Sequence, residues 1–139
     1  MGLTISNLTL ENKNIIIVED DVHTIRYYET LLRNTGANVL VLRSGLEFVE
    51  YIKQGKQEID FIFMDYLIPF INGIDCVRIF RKTNKTTPVV MLTAYMSEQT
   101  KTDSYIAGCN EYVLKPVYCE KLVFLLEKYL LQNKEILVS

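Results

Sequence analysis

The stretch FIFMDYLIPFING, residues 61–73, decides how the chain is read. Four apolar residues run straight into an acid, Asp65, and Pro69 and Gly73 follow soon after. A short apolar run bounded by turn residues reads as a strand covered on both faces. A carboxylate at the end of such a strand is costly unless a charge or hydrogen bonds meet it. Taken alone, Asp65 is a turn residue; taken with a partner from elsewhere in the chain, it is part of a site.

The same pattern recurs on either side. NIIIV (14–18), NVLVL (38–42), DFIFM (60–64), PVVML (88–92) and EYVLK (111–115) are the five strand candidates. Between the first two, residues 22–35 carry Ile25, Tyr28, Leu31 and Leu32 near helical spacing, with Gly36 as a stop. Ser44 caps a second helix that uses Leu46, Val49 and Ile52, and a third runs from about Ile74 to Arg81. SEQTKTDSYIAG (97–108) is a weakly apolar fourth helix. After Pro116 a long amphipathic fifth runs from Glu120 to about Asn133, with Leu122, Leu126 and Leu130 on one stripe. Strands alternating with helices in this way imply an α/β chain with a five-stranded parallel sheet, doubly wound, its five helices on both faces. Residues 1–13 read as an extension outside the core, 14–134 as the domain and 135–139 as a tail.

Composition narrows the function classes. With 139 residues, 49% apolar and 23% charged, the chain is long enough for one domain with a substantial core. A net charge of -2 with scattered Lys and Arg gives no pull toward nucleic acid, and no direct nucleic-acid partner is expected. No apolar run approaches the ~20 residues of a membrane span, so no membrane insertion is expected. Cys76, Cys109 and Cys119 lack metal-ligand or CxxC spacing and read as reduced thiols of a cytoplasmic protein.

In an open parallel sheet, ligands bind beyond the carboxyl ends of the strands. Those ends supply Glu19, Asp20 and Asp21 from the first strand, Asp65 from the third, Thr93 from the fourth and Lys115 from the fifth. Asp21 is read as a helix cap rather than a ligand. Clustered carboxylates repel one another unless a proton or a cation joins them. Hard oxygen donors with room for water and phosphate suit Mg²⁺, the expected cofactor. A carboxylate can also act as nucleophile and form an aspartyl phosphate, with Lys115 neutralising phosphoryl oxygens and Thr93 donating a hydrogen bond. His23, the only histidine, is read as a surface residue beside this pocket and not as a ligand.

VEDD (18–21), FMDYLIP (63–69) with Gly73, MLTA (91–94) and EYVLKP (111–116) together resemble the receiver domain of two-component response regulators, over about Asn14 to Asn133. The resemblance implies a flavodoxin-like fold with strand order 2-1-3-4-5. It implies that Asp65 is the phosphoacceptor and that Asp20 and Asp65 ligate Mg²⁺. Glu19 would bind the ion through water, and the Leu67 carbonyl would complete the protein ligands. Thr93 matches the switch hydroxyl, Tyr112 the rotating aromatic and Lys115 the phosphate-pairing lysine. Leu67 and Tyr95, two residues beyond the nucleophile and the switch hydroxyl, match the positions that tune dephosphorylation. One departure is Ile68, where the family commonly has Met before the proline.

On this reading the chain is a stand-alone signalling switch. It takes a phosphoryl group from a histidine kinase or a histidine phosphotransfer protein and catalyses only its own phosphorylation and dephosphorylation, so it is not an enzyme acting on an external substrate. A downstream protein would read the face made by the fourth helix, fifth strand and fifth helix. The alternatives are a partner-binding pseudo-receiver and an aspartate-nucleophile phosphatase. The phosphatase would want a second acid two residues after the nucleophile, where this chain has Leu67. A flavin carrier of the same strand order would want a Ser/Thr/Gly-rich phosphate loop where this chain has Glu19, Asp20 and Asp21.

Overall fold

The computed structural model describes residues 8–55, 58–95 and 97–131. Strands β1 (Asn14–Val18), β2 (Asn38–Leu42), β3 (Phe61–Asp65), β4 (Val89–Thr93) and β5 (Glu111–Leu114) alternate with helices α1 (Val22–Leu32), α2 (Gly45–Lys53), α3 (Gly73–Arg81), α4 (Glu98–Ala107) and α5 (Cys119–Leu130). The strands form one parallel sheet in the order β2-β1-β3-β4-β5, the flavodoxin-like arrangement.

Strand side chains alternate between faces with period two, and the two halves of the core follow that alternation. Ile15, Ile17, Phe61, Phe63, Val90, Leu92 and Val113 bury one face beneath α1 and α5. Ile16, Val18, Ile62, Met64, Val89 and Met91 bury the other beneath α2, α3 and α4. The residues α1 turns inward are Ile25, Tyr28, Leu31 and Leu32, the stripe legible in the sequence. Helix α2 starts at the cap Ser44, whose Oγ accepts the Glu47 N–H at 3.0 Å, while Glu47 Oε1 accepts the Arg43 N–H at 2.8 Å. Helix α4 is the exception, since it buries only Thr100, Ser104 and Ala107.

Several boundaries differ from the sequence reading. Strands β3 and β4 begin and end one residue later than expected, so Asp65 and Thr93 are the last residues of their strands rather than the first beyond them. Asp60 is drawn off the strand because its carboxylate accepts the Asn14 N–H at 2.7 Å. Strand β5 stops at Leu114, and Pro116, joined through a cis Lys115–Pro116 bond, has no N–H to continue a ladder. Helix α1 closes at Leu32, three residues short of the expected end, and the chain turns through Gly36 at φ +88. The expected end of α5 near Asn133 and the tail 135–139 lie outside the described residues.

Of the segment expected to lie outside the core, residues 1–7 fall outside the described residues, and Leu8 and Leu10 pack into the core instead. Leu10 is fully buried and Leu8 nearly so, both in the α1/α5 half of the core. The Leu10 N–H donates to the Thr35 carbonyl at 2.6 Å, tying the segment to the turn after α1. Two leucines in a polar stretch gave no periodicity to read, and burial under α1 follows from their place in the tertiary fold.

Candidate functional site

The C-terminal edge of the sheet gathers the acids. Adjacent strands β1 and β3 run in register from Ile15↔Phe61 to Val18↔Met64, so Glu19 and Asp65 leave the sheet side by side. The Gly73 N–H donates to the Tyr66 carbonyl at 2.9 Å, and a Cβ on Gly73 would lie 2.4 Å from the Asp65 carbonyl oxygen. Only glycine lets α3 start this close behind the acid.

Lys115 supplies the charge that meets the carboxylates. Its Nζ lies 2.8 Å from Glu19 Oε1 and 3.2 Å from Asp65 Oδ1. Glu19 is 2% exposed and Asp65 7%, while Asp20 is open to solvent. One carboxylate oxygen from each of Glu19, Asp20 and Asp65 fits within a 4.8 Å cluster. Asp21 stands apart as the cap of α1, accepting from the Thr24 N–H at 2.8 Å and the Thr24 hydroxyl at 2.7 Å.

Electrostatics follow from this packing. Burial, and after it the neighbouring Glu19 carboxylate, pushes the Asp65 carboxyl up to about 7 against the pull of Lys115. Burial works against the Lys115 ammonium, but the Glu19 hydrogen bond and the Asp65 charge outweigh it, and Lys115 is held above the ordinary lysine value. Ionised together, the three carboxylates would exceed the one ammonium by two negative charges. A divalent cation balances that excess, and an all-oxygen donor set with one solvent-open member fits Mg²⁺. The residues present therefore fit the ion.

The switch candidates lie one strand away. Thr93 is 1% exposed, and its Oγ1 accepts the Tyr95 N–H at 2.9 Å. The Lys115 N–H donates to the Thr93 carbonyl at 2.8 Å, which links the two strand ends. Tyr112, half-buried on β5 opposite Met91, donates its hydroxyl to the Tyr95 carbonyl at 2.8 Å. Leu67 and Tyr95 turn their side chains outward, 65% and 52% exposed.

Two features were not foreseen. The Tyr66 and Tyr95 rings stack with centroids 6.5 Å apart and planes 21° from parallel. A cleft of about 460 Å³ opens between α1 and the β5–α5 connection, bordered by His23, Tyr27, Lys115 and Tyr118. Both join residues from distant parts of the chain, which no periodicity in the sequence records. His23 is exposed at the rim of that cleft. Cys76 and Cys109 are buried thiols pushed up to about 12 by desolvation, and Cys119 is partly exposed.

Known proteins place this geometry. A regulator from Bacillus subtilis (strain 168), described as the uncharacterized transcriptional regulatory protein YkoG, is 32% identical over 124 residues. That match covers 89% of this chain, which spans only about half of the regulator's own length, 54%. The receiver domain of a sensor histidine kinase from Pseudomonas aeruginosa PAO1, solved with a magnesium ion coordinated in its active-site cleft, superposes with a TM-score of 0.75 at 27% identity. It covers 84% of this chain and 96% of that one. A CheY-like response regulator receiver domain protein from Methanospirillum hungatei JF-1 gives a TM-score of 0.77 at 26% identity, covering 88% of this chain and 98% of that one. Residues 15–127 match the model of the response regulator receiver domain. The acids at the end of β1, the acid ending β3 and the lysine that joins them thus sit in a chain that belongs to the response regulator receiver domain family of two-component signal transduction.

Proposed function

We propose that the chain is a phosphoacceptor switch in which Asp65 receives the phosphoryl group. The observation that carries this reading is the bridge from Lys115 to both Glu19 and Asp65, beside an Asp20 open to solvent. It provides a nucleophilic carboxylate and a cation already within reach of the group it would accept. Asp20 and Asp65, with Glu19 through water and the Leu67 carbonyl, would hold Mg²⁺. When bound, the ion supplies positive charge for the phosphoryl oxygens.

In the transfer, an Asp65 carboxylate oxygen attacks phosphorus while the phosphorus–nitrogen bond of a donor phosphohistidine breaks. The bonding pair leaves with the imidazole nitrogen. Lys115 is then drawn toward the new phosphoryl oxygens, and the Thr93 hydroxyl turns to donate to one of them. Water later hydrolyses the aspartyl phosphate, so the chain acts only on its own modification. The donor is a histidine kinase or a histidine phosphotransfer protein.

Phosphorylation shifts a two-state equilibrium read on the face of α4, β5 and α5. Ile106, Leu114 and Phe124 are 75%, 41% and 54% exposed there, which suits a protein partner. No described helix is long and apolar enough to cross a membrane, in keeping with the cytoplasmic site we assign to this switch.

Incubation with acetyl phosphate and Mg²⁺ followed by mass spectrometry tests the reading. One phosphoryl group on Asp65, lost on mild base treatment, is expected. An unlabelled protein that still folds would leave only the partner-binding role.

A further inference from the structure

Tyr95 is gripped at three points. Its N–H donates to Thr93 Oγ1 at 2.9 Å, its carbonyl accepts the Tyr112 hydroxyl at 2.8 Å, and its ring stacks on Tyr66 at 6.5 Å. The first two grips depend on side chains expected to move when the site is charged with a phosphoryl group. A Thr93 hydroxyl that swings toward phosphate takes the acceptor of the Tyr95 N–H with it. The third grip is of a different kind, because the backbone that carries the Tyr66 ring is bonded on both sides.

The backbone of Tyr66 is pinned on both sides. Its N–H donates to the Leu92 carbonyl at 3.1 Å, its carbonyl accepts the Gly73 N–H at 2.9 Å, and α3 starts hard against its Cα. Its ring is half-buried against the core beneath α2, α3 and α4. Tyr95, by contrast, is 52% exposed and stands beyond the end of β4. The stack therefore joins a half-buried ring on a pinned backbone, next to Asp65, to an exposed ring whose own backbone is bonded to the switch side chains.

We propose that Tyr66 is a positioning residue of the switch, holding Tyr95 in its resting place through the stacked ring pair. This rests on the phosphoacceptor reading and adds to it a contact that resists activation. Aromatic pairs of this kind shift an equilibrium by roughly two- to tenfold when lost. Tyr66 touches neither the phosphoryl group nor the metal in this role; it acts through Tyr95.

The test is a beryllofluoride titration in saturating Mg²⁺, followed by the amide shifts of Thr93, Tyr95 and α4. Beryllofluoride stands in for the phosphoryl group and is not hydrolysed, so phosphate lifetime does not enter. Tyr66→Leu, which keeps apolar bulk without a ring, should half-saturate at a concentration roughly two- to tenfold lower than wild type. Tyr66→Phe keeps the ring and should titrate as wild type. Adding Tyr66→Leu to Tyr95→Leu should change nothing further, since either one already removes the pair. A responsive wild type with an unchanged Tyr66→Leu, or additive effects in the double variant, overturns the proposal and leaves the phosphoacceptor reading standing. A wild type that gives no response overturns that reading and the proposal with it.

Discussion

Lys115 sits closer to Glu19 than to Asp65, 2.8 Å against 3.2 Å, and Glu19 is the more deeply buried of the two acids. The lysine is therefore held chiefly by Glu19 and not by Asp65, the proposed phosphoacceptor. A buried carboxylate stripped of its cation is expensive. Lys115→Ala should destabilise the metal-free protein by on the order of 2–4 kcal/mol, and Mg²⁺ should restore part of that loss. The variant should still bind the ion but respond poorly to phosphorylation. Thermal melts with and without Mg²⁺, beside amide shifts after acetyl phosphate, measure both effects. A melt as stable as wild type without metal would show that the ion pair contributes nothing.

Asp65 should make stability depend on pH in an unusual direction. Its folded pKa, raised to about 7 by burial first and Glu19 second, lies above the unfolded value of 3.8. The folded state then holds the proton more tightly than the unfolded state across that interval. Stability from this group is fully present below pH 3.8 and is lost as pH rises through about 7. Asp65→Asn removes the charge, so the metal-free variant should gain roughly 1–2 kcal/mol over wild type at pH 8 and much less at pH 5. It should also fail to label with acetyl phosphate. Denaturant melts at the two pH values check the first statement and mass spectrometry the second; a gain equal at both would contradict it.

Thr93→Ala should separate chemistry from response. The hydroxyl is not the nucleophile, so labelling of Asp65 should persist, slowed by the loss of one hydrogen bond worth about 1 kcal/mol. The variant also frees the Tyr95 N–H that Thr93 Oγ1 now accepts. Amide shifts on α4 after phosphorylation should shrink. A wild-type response in the variant would remove Thr93 from the switch.

The phosphorylated state should be long-lived. An attacking water must come in line behind phosphorus, and the positions two beyond Asp65 and Thr93, Leu67 and Tyr95, offer no acid or amide to orient it. Positioning of a nucleophile contributes several kcal/mol to a barrier, so losing even part of it, roughly 1 kcal/mol, slows hydrolysis severalfold. Tyr95→Ala and Tyr95→Gln should lose phosphate faster than wild type once the donor is removed. Equal decay in all three proteins would mean that the Tyr95 ring does not shield the site.

The strands and four of the helices were legible because burial imposes periods the sequence must obey, as with Ile25, Tyr28, Leu31 and Leu32 in α1. The acids at the strand ends were legible because a polar residue closing an apolar run needs a reason. What could not be read depends on loops meeting in space. The Tyr66–Tyr95 stack joins two residues 29 positions apart in sequence, with no regular spacing between them to announce it. The choice of Lys115 between Glu19 and Asp65 is a matter of tenths of an ångström. Helix α4 sits between the two cases: its weak stripe was visible, and the structure explains it by a buried face of Thr100, Ser104 and Ala107.

The burial of Leu10 bears on how little of the chain can be spared. The residues shared with the family begin at 15 and end at 127, and a chain cut to those limits loses Leu8 and Leu10 at one end. At the other end it loses Tyr129, whose ring packs edge-on against Phe61 and whose hydroxyl donates to Glu111 at 2.6 Å. Both losses fall on the same face of the sheet, under α1 and α5. The hole would open behind Phe61 and Phe63, the strand that carries Asp65. The segments outside the family match are thus the wedges that keep the strand carrying Asp65 seated.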